Sequence, residues 1–258
     1  TVLTPILDKY GNLFKIIAVE TDITAIKQAE QEIIIQNEEI AIQRDNLKML
    51  IQELEKQKDE ITKQRDEIAE KTKYITDSIN YAKIIQEAIL VPQDALKLMF
   101  PDSFILYKPK DIVSGDFFWL EEKESKLFFA AVDCTGHGVP GDFMSIIGNL
   151  LLNQALHEHN ILEPAEILNF LNRGINQILR KEQKNYLLRD GMDIALCAFH
   201  LESRVLEFAG AFNPLFIIHE NQFLKYKGDG LPIGIRFNSE FSNYTNHIIQ
   251  LQPDDCIF

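Results

Sequence analysis

The sequence predicts an α+β fold with mainly antiparallel sheet, preceded by one long helix. An isoleucine or leucine recurs every seven residues from Ile26 to Ile75, and glycine and proline are absent between Asp22 and Pro92. Past residue 100, strand-like runs come in consecutive groups separated by two helix-like segments, rather than alternating with them.

Residues 1–21 read as two strands. Val2, Leu3, Ile6 and Leu7 precede the turn signal Asp8-Lys9-Tyr10-Gly11-Asn12, and an apolar run follows at 13–19. So short a pair cannot bury a sheet alone. It is either the tail of a larger domain or an edge docked on something else. Thr21 or Asp22 can cap the helix that follows. Within it Ile26, Ile33, Ile40, Leu47, Leu54, Ile61, Ile68 and Ile75 keep strict heptad spacing, the mark of a left-handed coiled coil. Its second core position is poor, because Gln36, Gln43, Gln57 and Gln64 share it with Leu50. A half-polar seam makes a marginal coiled coil, able to change register or splay. A parallel homodimer is the expected assembly; a single helix packed on its own domain is the alternative. Beyond Tyr74 the stripe Ile75, Ile79, Ala82, Ile85 and Ile89, widened by Tyr81 and Ile84, should dock on a globular domain. Val91-Pro92 ends the helix.

In the remainder, strands are predicted at 104–107, 112–120, 127–132, 194–201, 205–209, 215–219 and 247–251, and helices at 140–157 and 164–179. Pro140 suits the first turn of its helix.

Composition narrows the function classes. With 46% apolar residues, 258 residues suffice for a real core. A formal charge of −13 argues against nonspecific binding to nucleic acid or to an anionic membrane. Cys134, Cys197 and Cys256 have neither metal-ligand nor disulfide spacing, which points to a reducing cytoplasm. Apolar runs such as Ile146-Ile147 and 150–152 fall far short of the roughly 18 residues of a spanning helix. The chain starts at Thr1 without methionine and stops inside an apolar run, so both ends read as cuts from something longer.

The chemistry concentrates in Ser114-Gly115-Asp116-Phe117-Phe118 and Val132-Asp133-Cys134-Thr135-Gly136-His137-Gly138. If a two-residue turn joins the two strands, at Lys123-Glu124 or at Glu124-Ser125, Asp116 and Asp133 share a face as diagonal or direct cross-strand neighbours. Two carboxylates that close stay ionised cheaply only with a cation between them, and hard divalent cations prefer oxygen ligands. A one-residue change in the turn would separate them; Asp116 is then a strand-end cap and Asp133 a turn residue. Glycines after Asp133 let backbone carbonyls approach a ligand. His137 is either a general acid or a loop-fixing hydrogen bonder. Asp190-Gly191-Met192-Asp193 opens a strand and either supplies an outer-shell carboxylate or is a plain turn. No nucleophile–base constellation is evident around Cys134.

These residues resemble a known family. Lys108-Pro109-Lys110-Asp111-Ile112-Val113-Ser114-Gly115-Asp116-Phe117-Phe118-Trp119 and Asp133-Cys134-Thr135-Gly136-His137-Gly138-Val139-Pro140-Gly141 look like the sporulation stage II E branch of the metal-dependent (type 2C, PPM) serine/threonine phosphatases. Ala209-Gly210-Ala211-Phe212-Asn213-Pro214-Leu215 and Gly230-Leu231-Pro232-Ile233-Gly234 match as well, and the helix ending at Leu90 is similar to the family's linker helix. The resemblance implies two stacked antiparallel sheets flanked by helices and a binuclear Mn²⁺ or Mg²⁺ centre. In it Asp116 and Asp133 are ligands and Cys134 gives only its backbone carbonyl. It also implies a later Ser/Thr-Asp-Gly strand end and a further aspartate, which these residues lack, so weak metal binding and poor activity are expected of them.

Thr4-Pro5-Ile6-Leu7-Asp8-Lys9-Tyr10-Gly11-Asn12, followed by Thr21-Asp22-Ile23-Thr24, resembles the end of a PAS sensor domain. The implied organisation is a PAS remnant at 1–21, a coiled-coil signalling helix at 22–73, a linker helix at 74–98 and a phosphatase domain at 99–258. The implied substrate is a phosphorylated signalling protein, plausibly an anti-sigma-factor antagonist. Two other readings remain: a dimeric scaffold with a degenerate phosphatase-like domain, and a diguanylate cyclase suggested by Ser114-Gly115-Asp116-Phe117-Phe118. The second does not fit Asp133 to Gly138.

Overall fold

The computed structural model describes residues 2–180, 190–234 and 243–258. It divides into two compact units, the first ending at Thr72 and the second running from Lys73 to Phe258.

In the first unit β1 (Val2–Leu7) and β2 (Leu13–Val19) form an antiparallel hairpin. Its turn is held by the Asp8 carboxylate, which accepts the N–H groups of Tyr10 and Asn12 at 2.8 and 2.9 Å. Helix α1 (Thr24–Ile89) begins where the Asp22 carboxylate accepts the Thr24 N–H at 2.9 Å, satisfying an otherwise orphaned donor. It continues into the second unit without a break. Heptad positions Ile26, Ile33, Ile40, Leu47, Leu54, Ile61 and Ile68 are all exposed, so the apolar stripe lies open along its length. Surface ion pairs such as Lys27–Glu30 add little to the helix.

The second unit holds α2 (Gln93–Met99), β3 (Phe117–Lys123), β4 (Lys126–Cys134), α3 (Val139–Asn153), α4 (Pro164–Arg180), β5 (Met192–His200), β6 (Val205–Ala211), β7 (Leu215–His219), β8 (Gln222–Tyr226), β9 (His247–Gln250) and β10 (Cys256–Ile257). One antiparallel sheet has the order β3-β4-β5-β6-β9 and a second the order β10-β7-β8. Strand periodicity sorts the larger sheet's side chains onto two faces. Phe117, Trp119, Phe128, Val132, Ile194 and Leu196 pack on one side against Leu152, Leu168, Leu171 and Ile175 of the helices. Cys197, Leu206, Phe208 and Ile249 pack on the other side against Leu215 and Ile217 of the second sheet. The result is the stacked antiparallel architecture that the family resemblance implies. Each fully buried leucine or isoleucine contributes about 1.5–3 kcal/mol of transfer free energy.

Local differences from the sequence reading have physical causes. Residues 104–107 and 112–116 form no strand. Pro109 removes a ladder donor. The Ser114 N–H and carbonyl are instead bonded to the Gln86 side-chain amide, at 3.3 and 2.6 Å. A side chain thus takes the place of a neighbouring strand. The helix predicted at 140–157 changes at Gln154 into a π-helical turn reaching Glu158. Strands β8 and β10 were not predicted, the first for its polar content and the second for its two-residue length.

Gly210 tests the packing where β6 meets the loop before β9. A Cβ there would run into the Asn213 carbonyl oxygen and lie 2.8 Å from Gly228 Cα, whereas one on Gly230 meets nothing within 4 Å. In urea unfolding, Gly210→Ala should destabilise the protein by about 1–3 kcal/mol, while Gly230→Ala stays within about 0.5 kcal/mol.

Candidate active site

The site is set by one hairpin. β3 and β4 are joined by Glu124 and Ser125, both at positive φ (52° and 61°), as the tight two-residue turn of a twisted hairpin requires. Of the two turns compatible with the sequence, this one fixes the register. Lys123 pairs with Lys126 and Phe117 with Val132. Asp116 comes just before β3, one step beyond that pair, and is hydrogen-bonded to Asp133; on the other side of β4, Asp133 pairs with Asp193. Three carboxylates therefore lie in a row on adjacent strands, on the face away from α3 and α4.

Electrostatics reflects the crowding. Partial burial, then the charge of Asp133 and a hydrogen bond with it, push the Asp116 carboxyl above the ordinary range. Burial, then the charge of Asp133, does the same to Asp193. Asp116 and Asp133 are both exposed, so an ion has access to them. Asp193 is thus a direct neighbour in the row rather than a turn residue.

The segment after Asp133 packs against Gly115 and Gly141. Gly136 and Gly138 take φ of 87° and 66°, values that side chains resist. A Cβ on Gly115 would lie 3.0 Å from the Gly136 carbonyl oxygen and 3.3 Å from that of Cys134, and one on Gly141 would lie 2.8 Å from the Gly136 oxygen. The loop carbonyls rest against a glycine floor that any side chain would fill. The Thr135 hydroxyl accepts the Gly191 N–H at 2.8 Å, tying the loop to β5. The Cys134 side chain turns into the helix-side core, and burial, then the two aspartates, push its thiol far up. Its sulfur lies among the core side chains, while its carbonyl oxygen faces the glycine floor. Oxygen donors alone suit a hard divalent cation, so the residues fit Mn²⁺ or Mg²⁺. Among the described residues no three His, Cys, Asp or Glu side chains converge on one metal position.

Two neighbours escaped the sequence reading. Gln86 is the one buried residue of α1, 4% exposed. Besides its bonds to Ser114, its Nε2 donates to the Ser145 hydroxyl of α3 at 2.9 Å. The docked stripe is therefore Ile79, Ala82, Gln86 and Leu90, about one residue round from the predicted Ile75, Ile85 and Ile89, which are exposed. A polar residue on a helix reads as solvated, and its amide instead satisfies the backbone beside Asp116. Asp111 is the second: its Oδ2 lies 2.8 Å from Nδ1 of His137.

The model for stage II sporulation protein E matches residues 123–258. The chain is also similar to the SiaA-PP2C domain of Pseudomonas aeruginosa, at 32% identity and a TM-score of 0.63, over 72% of this chain and 71% of that one. The chain belongs to the stage II sporulation protein E family. Its second unit carries the family's PP2C-type phosphatase domain. A Bacillus subtilis structure of the PP2C phosphatase domain and a fragment of the regulatory domain of SpoIIE is 26% identical over 55% of this chain and 39% of that chain, with a TM-score of 0.42. RsbX solved in complex with magnesium is 18% identical over 58% of this chain and 67% of that one, with a TM-score of 0.42. Among curated proteins none matches.

The carboxylate row has a testable cost. A carboxyl raised by folding takes up a proton between its unfolded value, about 3.9, and its raised one. Stability is therefore lost as pH rises through that window, and stays lost above it. In EDTA at pH 7, Asp133→Asn should be more stable than wild type by roughly 0.2–1 kcal/mol, the range for directly opposed side chains. The difference should shrink towards pH 4. Equal urea midpoints at every pH would contradict the assignment.

Proposed function

We propose that the chain is part of a sensor-regulated, metal-dependent protein phosphatase acting on phosphoserine and phosphothreonine. The observation that carries this is the contact of Asp116, just before β3, with Asp133 of β4, ahead of the Gly136–Gly138 loop. Asp116, Asp133 and the Cys134 carbonyl would hold a binuclear Mn²⁺ or Mg²⁺ centre. When bound, such ions polarise a phosphate ester and lower the pKa of a water that attacks phosphorus. The chain's own residues supply the rest. The carboxylates would fix the ions' place, and Gly115 and Gly141 leave room for the loop carbonyls beside them.

On this reading residues 1–21 end a PAS domain, 22–73 form a signalling coiled coil that pairs two copies in parallel, and 74–98 link it to the phosphatase domain at 99–258. The open apolar heptad stripe supports pairing. Gln86 supports control: a shift of α1 would withdraw the amide that holds Ser114 two residues from Asp116. A marginal seam can be moved by a few kcal/mol. The substrate would be a phosphorylated cytoplasmic signalling protein, such as an anti-sigma-factor antagonist. Among the described residues no helix is long and apolar enough to cross a membrane.

Mn²⁺-dependent hydrolysis of p-nitrophenyl phosphate by the gene product containing these residues tests the reading. Asp116→Ala and Asp133→Ala should each lower the rate on the order of 10²-fold or more. A folded wild type without hydrolysis would sink it in favour of a non-catalytic scaffold.

A further inference from the structure

The end of α1 lies on a polar strip of α3. Asp142, Ser145 and Asn149 share one face of that helix at spacings of three and four residues, and all three are buried. Gln86 donates to the Ser145 hydroxyl at 2.9 Å, and Asn149 Nδ2 donates to the Ile89 carbonyl at 3.2 Å. The strip is incompletely satisfied. Oδ1 of Asp142 and Oδ1 of Asn149 are buried without a hydrogen-bond partner among the described residues. Asp142 is 2% exposed, and among the described residues no cation offsets its charge. Burial pushes its carboxyl above the ordinary range, and the Gln86 amide opposes this only in part. The titratable groups around it are Tyr107, from the segment before β3, and Glu87 of α1. The Tyr107 hydroxyl donates to the Asp116 carbonyl at 3.1 Å and is raised by burial, then by the charges of Asp116, Asp142 and Glu87. Glu87 is itself 3.7 Å from Lys83 on the exposed side of α1. A carboxylate buried in such company is disfavoured against the neutral acid.

We propose that Asp142 makes the docking of the α1 end proton-dependent: the neutral acid favours the docked helix, and the carboxylate favours its release into solvent. Docked, the group holds its proton more tightly than undocked. Its contribution to docking is therefore fully present below the ordinary carboxyl range and is lost as pH rises through the raised value. Release would take Gln86 away from Ser114, two residues before Asp116, so the same proton reaches the carboxylate row. The inference rests on the control reading for that consequence, and on the α1–α3 contact alone for the docking itself.

The test is hydrogen exchange of the metal-free protein, corrected for the intrinsic rate at each pH, in wild type and Asp142→Asn. At about pH 7 the amides of residues 79–90 should be better protected in the variant, by roughly tenfold for each unit by which docking raises the Asp142 pKa. The two proteins should converge towards about pH 4, and the α4 amides should differ little between them. A ¹³C carboxyl titration of the wild type gives a second reading that needs no substitution: Asp142 should titrate above the ordinary value of about 3.9. Equal protection of residues 79–90 at pH 7, a gain in α4 as large as in α1, or titration at or below the ordinary value would overturn the proposal. None of these readouts uses hydrolysis. A folded wild type that leaves p-nitrophenyl phosphate intact would overturn the phosphatase reading, while the exchange data still decide whether Asp142 governs docking.

Discussion

Everything at the candidate site depends on the register of one β-hairpin. Because side chains alternate across a strand, one residue more or less between Lys123 and Lys126 would send Asp133 to the helix side. Two positive-φ residues in the turn exclude that slip. The same register stacks Phe117 on Val132 and Trp119 on Ala130 in the helix-side core, so burial of apolar surface enforces the alignment that brings the carboxylates together. Packing and chemistry are one constraint here: the aspartates' mutual repulsion is held against the much larger free energy of the core beneath them.

A second dependence runs from α1 to the same place. The backbone around Ser114 has no strand neighbour and is buried, so its N–H and carbonyl need partners. Gln86 provides both, and also reaches α3 through Ser145. A buried amide of this kind is costly to unpair, by about 1–3 kcal/mol for each group left open. The end of this helix is thus anchored beside the site by Gln86 together with the half-buried Ile79, Ala82 and Leu90, rather than by Ile75, Ile85 and Ile89.

The sequence carried much of this in its periodicities. The heptads between Ile26 and Ile75 and the absence of helix breakers place α1 to within about two residues at either end, because both signals are local. Strands with apolar alternation, such as β4 and β7, were legible for the same reason. Residues 104–107 were not, since an apolar run specifies a strand only when a neighbour accepts its ladder. β8 was hidden by the lysine and glutamine of a half-solvated strand. At the site, Asp116 and Asp133 were legible as a pair up to the choice of turn. Asp193, Gln86 and Asp111 owe their places to contacts across 60, 28 and 26 positions of the chain (Asp193 with Asp133, Gln86 with Ser114, Asp111 with His137), which no local pattern encodes.

The central claim is that Asp116, just before β3, and Asp133 of β4 together bind a divalent cation. Disappearance of the free aqueous Mn²⁺ electron paramagnetic resonance signal, titrated with folded wild type and with Asp133→Asn, tests it most directly. The account predicts saturable Mn²⁺ uptake by the wild type and at least about tenfold weaker uptake by the variant. Equal affinity in the two proteins would contradict it.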